Sequence, residues 1–199
     1  PNAPTGILYP KKTVLDFCAS FPGVVLLDEA YVDFSRYNCM DIALDLDNVL
    51  VLRSLSKSYS LAGLRVGYVV GSKSLIEAIY KAKDSYNLDA ISQCLALAAL
   101  SDVKHMKKNA ARIKATRRRL SEALTAAGYR VYPSESNFLW AKPAGITAKQ
   151  LFEWLRKQRI LIRYFPGVRT GNFIRITVGT DREIDELIKA IGKLSEKGR

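Results

Sequence analysis

Lys57 sits in unusual company for a lysine. It follows Ser54-Leu55-Ser56 and precedes Ser58-Tyr59-Ser60, directly after the apolar run Val49-Leu50-Val51-Leu52. An amine among small hydroxyl groups just past a buried strand is open to desolvation or to a neighbouring cation. Either lowers its pKa and makes it a nucleophile or a Schiff-base partner. Ser54 and Ser56 offer hydroxyls to phosphate oxygens, and Arg65, in Leu61-Ala62-Gly63-Leu64-Arg65-Val66-Gly67-Tyr68, offers a charge-assisted bond to the same phosphate. A second point of chemistry is Asp28-Glu29-Ala30-Tyr31, at the carboxyl end of the apolar run Val24–Leu27. In open parallel sheets that end of a strand faces the ligand crevice. A carboxylate that follows four apolar residues is expected to be partly buried, which is costly unless a cation or several donors answer it. Taken singly, each residue also has a plain structural role: a cap or turn for Asp28, an exposed loop amine for Lys57, a strand edge for Arg65.

The remaining composition narrows the chemistry. With one histidine (His105), a zinc site or a Ser-His or Cys-His nucleophile pair is a poor reading. Cys18, Cys39 and Cys94 lie far apart, which argues against a disulfide framework and for a reducing compartment. The reactive group is therefore expected to come from a cofactor.

The elements that must position these residues follow an α/β grammar. Thr13–Phe21 reads as a short helix closed by Pro22-Gly23. Val24–Leu27, Val49–Leu52 and Val66–Gly71 read as strands buried on both faces, as in a parallel sheet covered by helices. From Ile76 to about Ala127 the pattern is helical with breaks, and Gly128 supplies a stop. Short strands are predicted at Arg130–Tyr132, Asn137–Ala141, Ile160–Arg163 and Phe173–Val178, with helices at Ala148–Gln158 and from Asp181. The last helix opens on a capping box, Thr180-Asp181-Arg182-Glu183, and carries an apolar stripe from Ile184 to Leu194. A composition shift near Val103 divides the chain into 1–103 and 104–199.

The 199 residues suit one ordinary domain or two small ones, and 48% hydrophobic with 25% charged residues excludes disorder as the dominant state. The longest uncharged stretch, Ala90–Ser101, has 12 residues, too short for a membrane-spanning helix of ~20. The chain opens without an initiator Met or a signal-peptide pattern. The net charge of +12 is concentrated in Lys104–Arg119, with eight lysines and arginines and no acidic residue. Met106, Ala110, Ile113, Leu120 and Leu124 form an apolar stripe between them, and no aromatic is interleaved for base stacking. The segment reads as a solvated helix face rather than a nucleic-acid surface; a non-catalytic polyanion-binding fragment is the alternative.

Pro1-Asn2-Ala3-Pro4-Thr5-Gly6, Asp28-Glu29-Ala30-Tyr31, Ser54-Leu55-Ser56-Lys57 and Leu61–Tyr68, in that order, closely resemble the fold-type I pyridoxal-phosphate aminotransferases. Asp28–Phe34 and Arg175–Thr180 resemble the histidinol-phosphate aminotransferase branch. The resemblance implies part of a large cofactor domain, a mostly parallel sheet with helices on both faces, followed by a smaller α+β domain. It implies that Lys57 attaches pyridoxal 5'-phosphate and later moves the substrate α-proton. Asp28 would pair with the pyridine nitrogen, Tyr31 donate to the phenolic oxygen, and Ser54, Ser56 and Arg65 hold the phosphate. Arg175 would meet a substrate α-carboxylate and Arg163 the distal phosphate. Many relatives carry Asn just before Pro-Thr-Gly; here that place is Ala3, and Asn2 is the candidate contact. The implied reaction converts histidinol phosphate and 2-oxoglutarate to imidazole-acetol phosphate and glutamate, in a cytoplasmic homodimer. Aromatic aminotransferase and phosphothreonine decarboxylase activities are the alternatives within the superfamily. Family members extend further at the amino end, so the chain is expected to be a carboxyl-terminal portion, inactive alone.

Overall fold

The computed structural model describes residues 1–197. They form two compact units, one of Leu8–Ala110 with Pro1, the other of Asn2–Ile7 with the chain from Ala111 onward.

The first unit runs α1 (Lys11–Ser20), β1 (Val25–Asp28), α2 (Met40–Asp45), β2 (Val49–Ser54), β3 (Gly67–Gly71), α3 (Lys73–Ala82) and α4 (Ala90–Ser101), with the start of α5 (Val103–Ala126). Single 3-10 turns lie at Val32–Phe34 and Ala62–Leu64. The sheet order is β1-β2-β3. β1 and β2 are parallel, with Val25 opposite Val49 and Asp28 opposite Leu52. β3 runs antiparallel to β2, with Ser54 opposite Gly67, so this sheet is mixed where the sequence pointed to parallel pairing. Gly67 is required there: a Cβ would meet the Arg53 carbonyl oxygen at 2.7 Å.

β2 is buried on both faces at Val49, Leu50 and Val51, as its apolar run predicts. β1 is not. Val25 and Leu27 pack with Cys18 of α1 and Ile42 and Ala43 of α2, but Val24 and Leu26 remain 54% and 55% exposed. Alternation puts Leu26 on the opposite face from Val25, and among the described residues nothing covers it. A second cluster joins Leu55, Val66 and Ala96 of α4, with Tyr59 and Leu61 against it. It anchors the loop after β2.

The second unit is an antiparallel sheet in the order β4 (Arg130–Val131), β5 (Phe138–Lys142), β7 (Ile174–Thr177), β6 (Arg163–Tyr164). Helices α5, α6 (Ala148–Lys157) and α7 (Asp181–Lys197) bury one face through Leu120, Leu124, Leu151, Leu155, Ile184, Leu187 and Ile191, against Leu139, Ala141, Ile174 and Ile176. β6 starts at the last residue of the predicted strand; Ile160 and Ile162 pack against the core without strand pairing. Both helix starts are capped as their sequences dictate. Thr147 and Gln150 form a capping box, and the Thr180 backbone N–H donates to Glu183 at 2.7 Å. Gly128 ends α5 with φ +82°, the left-handed conformation that favours glycine. No helix among the described residues is long and apolar enough to cross a membrane.

Candidate active site

The first unit brings the ends of β1 and β2 together. The last β1 residue, Asp28, lies opposite Leu52, and the Glu29 N–H extends the ladder by donating to the Leu52 carbonyl at 2.9 Å. Residues just beyond each strand are thereby neighbours. The Lys57 ammonium stands 5.5 Å from the centroid of the Tyr31 ring. The two residues, 26 apart in sequence, meet because parallel strands deliver their following loops to one edge.

The loop carrying Lys57 is tightly held. Leu55 is buried, its N–H donating to Val66 O at 3.1 Å and its carbonyl accepting from Leu61 N at 3.1 Å. The Ser60 N–H closes the turn on Lys57 O at 3.2 Å, and the Ser56 N–H donates to Ser54 Oγ at 3.1 Å. Ser54, Ser56, Lys57 and Tyr31 are all half-buried. Arg65 is exposed and adopts φ +57°, its Nη1 donating to Ala62 O at 3.0 Å.

Asp28 corrects an expectation. It is exposed, not partly buried, because alternation places it on the same bare face of β1 as Leu26. Its carboxylate accepts only the local N–H of Ala30, at 3.0 Å, among the bonds described for it. The buried carboxylate is its neighbour Glu29, 7% exposed. Glu29 Oε2 accepts from Arg53 Nε at 2.8 Å and Oε1 from Cys39 N at 2.6 Å. Arg53 Nη1 lies 3.8 Å from Asp33, whose other oxygen accepts the hydroxyl of buried Ser58. Burial, with the Asp33 charge, pushes the Tyr59 phenol up, and burial with the Glu29 charge pushes the Cys39 thiol up to about 11. Sequence reasoning singled out none of Glu29, Asp33, Arg53 and Ser58. The available signal was alternation: each is adjacent to, or two residues from, a residue it did single out.

In the second unit, Arg163 and Arg175 are direct cross-strand partners on β6 and β7, and Trp140 of β5 lies opposite Arg175 on its other side. Their side chains occupy the sheet face away from the helices. Both guanidinium carbons stand over the Phe165 ring, at 5.6 and 5.5 Å, and Arg175 also stands 5.0 Å from Phe138. Trp140 stacks on Phe173 at 5.2 Å and tilts against Phe165 at 5.9 Å. Like charges placed directly opposite repel, and Arg175 Nε is buried with no hydrogen-bond partner among the described residues. Two forks on an aromatic floor are suited to a planar or tetrahedral anion. Asn2 also belongs to this unit. Its side-chain oxygen accepts the Thr5 hydroxyl within its own turn, and the following Gly6 carbonyl accepts from Glu135 N at 2.8 Å.

The basic segment is mainly an exposed helix face, with Met106, Ala110, Leu120 and Leu124 turned inward. Arg117 and Arg119 depart from it. Arg117 donates to Ser136 O at 2.5 Å and lies 3.9 Å from Glu135, while Arg119 pairs with Asp181 at 3.1 Å and with Asp185.

Comparison with known proteins adds a second line of observation. Residues 1–191 match the family described as "Aminotransferase class I and II". The chain is 45% identical over 194 residues to a histidinol-phosphate aminotransferase of Microcystis aeruginosa, covering 98% of this chain and 56% of that protein. It is 43% identical to one from Rippkaea orientalis, with the same coverage. The crystal structure of histidinol-phosphate aminotransferase from Sinorhizobium meliloti in complex with pyridoxal-5'-phosphate superposes with a TM-score of 0.87 at 28% identity, covering 98% of this chain and 56% of that one. The chain thus spans little more than half the length of the proteins it matches.

Proposed function

The chain belongs to the class I and II aminotransferase family, and on that premise we propose that it carries the catalytic lysine and the anion-binding arginines of a pyridoxal-phosphate-dependent histidinol-phosphate aminotransferase. The observation that carries the reading is the Lys57 amine over the Tyr31 ring at the joined ends of β1 and β2.

The donor set fits the cofactor. An amine for its aldehyde, a carboxylate for its ring nitrogen, a phenol for its phenolic oxygen, and two hydroxyls with a guanidinium for its phosphate come from Lys57, Asp28, Tyr31, Ser54, Ser56 and Arg65, all in one unit. Pyridoxal phosphate, when bound, supplies an electron sink for charge developing at the substrate α-carbon. The protein's part is placement and proton movement. With the cofactor bound, Lys57 Nζ would take the proton from the substrate α-carbon as general base and give it back as general acid. The Asp28 carboxylate would hold a proton on the pyridine nitrogen. Tyr31 would donate to the phenolic oxygen beside the amine.

Arg163 and Arg175 hold the substrate by its anion. Histidinol phosphate has a phosphate and no carboxylate, whereas glutamate and 2-oxoglutarate present carboxylates. A pair of opposed forks accepts each in turn, and orientation by such a clamp lowers the entropic part of the barrier. The three free cysteines, two of them buried, suit a cytoplasmic enzyme, and the complete protein is read as a homodimer.

The test is glutamate formation by the complete protein from 2-oxoglutarate and histidinol phosphate. Turnover that requires both, and that exceeds turnover of phenylalanine or tyrosine, supports the reading. Release of carbon dioxide from phosphothreonine without a 2-oxo acid would replace it with a decarboxylase.

A further inference from the structure

Three groups proposed to hold the cofactor each have a chain neighbour that joins one largely buried polar assembly: Glu29 beside Asp28, Arg53 beside Ser54 and Ser58 beside Lys57. Glu29 and Arg53 are paired at 2.8 Å with side chains only 8% and 15% exposed. Arg53 reaches on to Asp33 at 3.8 Å, and Asp33 takes the hydroxyl of Ser58, itself 3% exposed. The second Glu29 oxygen is taken by Cys39 N at 2.6 Å. The assembly therefore ties the loop after β1, which holds Tyr31, to β2 and to the loop that holds Lys57. A buried ion pair adds little net stability compared with apolar packing of the same volume, whereas removing one partner is costly. What a charged assembly adds is a fixed geometry, since guanidinium and carboxylate groups bond in a planar, directional way.

We propose that Glu29, Arg53, Asp33 and Ser58 are positioning residues that set the height and angle of Lys57 and Tyr31 relative to each other and to the cofactor. The inference rests on the cofactor reading given above. It is distinct from that reading, because none of the four residues is among those proposed to hold the cofactor or the substrate.

The experiment uses the complete protein loaded with pyridoxal phosphate, and compares Arg53→Met, Arg53→Lys, Asp33→Asn and Ser58→Ala with the unaltered protein. Three quantities are measured: cofactor bound per chain, visible circular dichroism per bound cofactor, and kcat and KM for transamination. Visible dichroism arises from the asymmetric seating of the ring, so it follows orientation and not global stability. Ser58→Ala and Asp33→Asn are expected to retain cofactor, to lose at least half of the dichroism per cofactor, and to lower kcat about tenfold with KM changed less than threefold. Arg53→Met is expected to show the larger loss, with Arg53→Lys recovering part of it. Should Arg53→Met fail to fold, the two milder variants decide. Dichroism and kcat per bound cofactor that match the unaltered protein, with only the melting temperature lowered, would overturn the inference. If borohydride fixes no cofactor on Lys57 of the unaltered protein, the cofactor reading itself fails, and the inference with it.

Discussion

Replacing Arg175 by methionine should separate stability from function. In most half-buried positions a truncation or charge loss destabilises, but Arg175 is held under tension. It faces Arg163 directly across the β6–β7 ladder, and its Nε is buried without a hydrogen-bond partner among the described residues. An unsatisfied buried donor costs about 1–3 kcal/mol, and methionine removes both that cost and the repulsion. Against this, two ring contacts at 5.0 and 5.5 Å are lost, each worth roughly 0.5–1 kcal/mol, while the thioether keeps part of the packing. The balance lies between about 1 kcal/mol less stable and about 2 kcal/mol more stable, read as a shift of the urea midpoint at unchanged slope. Function should move far more. Two charge-assisted bonds to a substrate anion, at about 1.5–3 kcal/mol each, correspond to a loss of roughly 10²-fold or more in kcat/KM. Arg175→Lys keeps the charge but not the fork, and should fall between. A variant destabilised by about 3 kcal/mol or more, or one with unchanged kcat/KM, would refute the account of this residue.

Asp28→Asn should retain cofactor but lose nearly all turnover, since an amide cannot hold the pyridine nitrogen protonated; wild-type kcat in that variant would place the pyridine partner elsewhere. Because the Cys39 thiol is pushed up to about 11, iodoacetamide at pH 8 should leave Cys39 unmodified while exposed Cys94 reacts, as read by peptide mass spectrometry. Thr116 and Arg119 hold the Asp181 carboxyl below its usual range, and Thr180 does the same for Glu183. Depressed carboxyls stabilise the fold above their unfolded values and lose that contribution as pH falls through the folded ones. The denaturation midpoint should therefore drop below about pH 4.5, near the ordinary Glu value. Asp181→Asn combined with Glu183→Gln should flatten the drop, and an unchanged acid limb would count against these pairings.

Much of the fold was legible because local rules were obeyed. Apolar runs marked β1 to β3, and Gly128 and the Thr180–Glu183 box marked helix ends where the structure has them. The antiparallel course of β3 was not legible, since direction depends on pairing partners and not on strand composition. Nor was the exposure of Asp28 and Leu26, because burial of a strand face depends on what packs over it. The candidate residues Asp28, Ser54, Ser56, Lys57 and Arg65 stood out as hydroxyls and charges near strand ends, whereas Asn2, Tyr31, Arg163 and Arg175 were candidates only through the family resemblance. Glu29, Arg53, Asp33 and Ser58 escaped notice because their significance lies in contacts between residues 24 to 25 positions apart. The opposition of Arg163 and Arg175 likewise needs the β6–β7 register, which the sequence pattern does not encode.

The most direct test of the account is to load the complete protein with pyridoxal phosphate, reduce it with borohydride, digest it and locate the cofactor by mass spectrometry. The account predicts a single stable adduct on the peptide containing Ser54-Leu55-Ser56-Lys57-Ser58, absent when Lys57 is replaced by alanine, with loss of transamination in that variant. An adduct on a different lysine, or full transamination by Lys57→Ala, would contradict it.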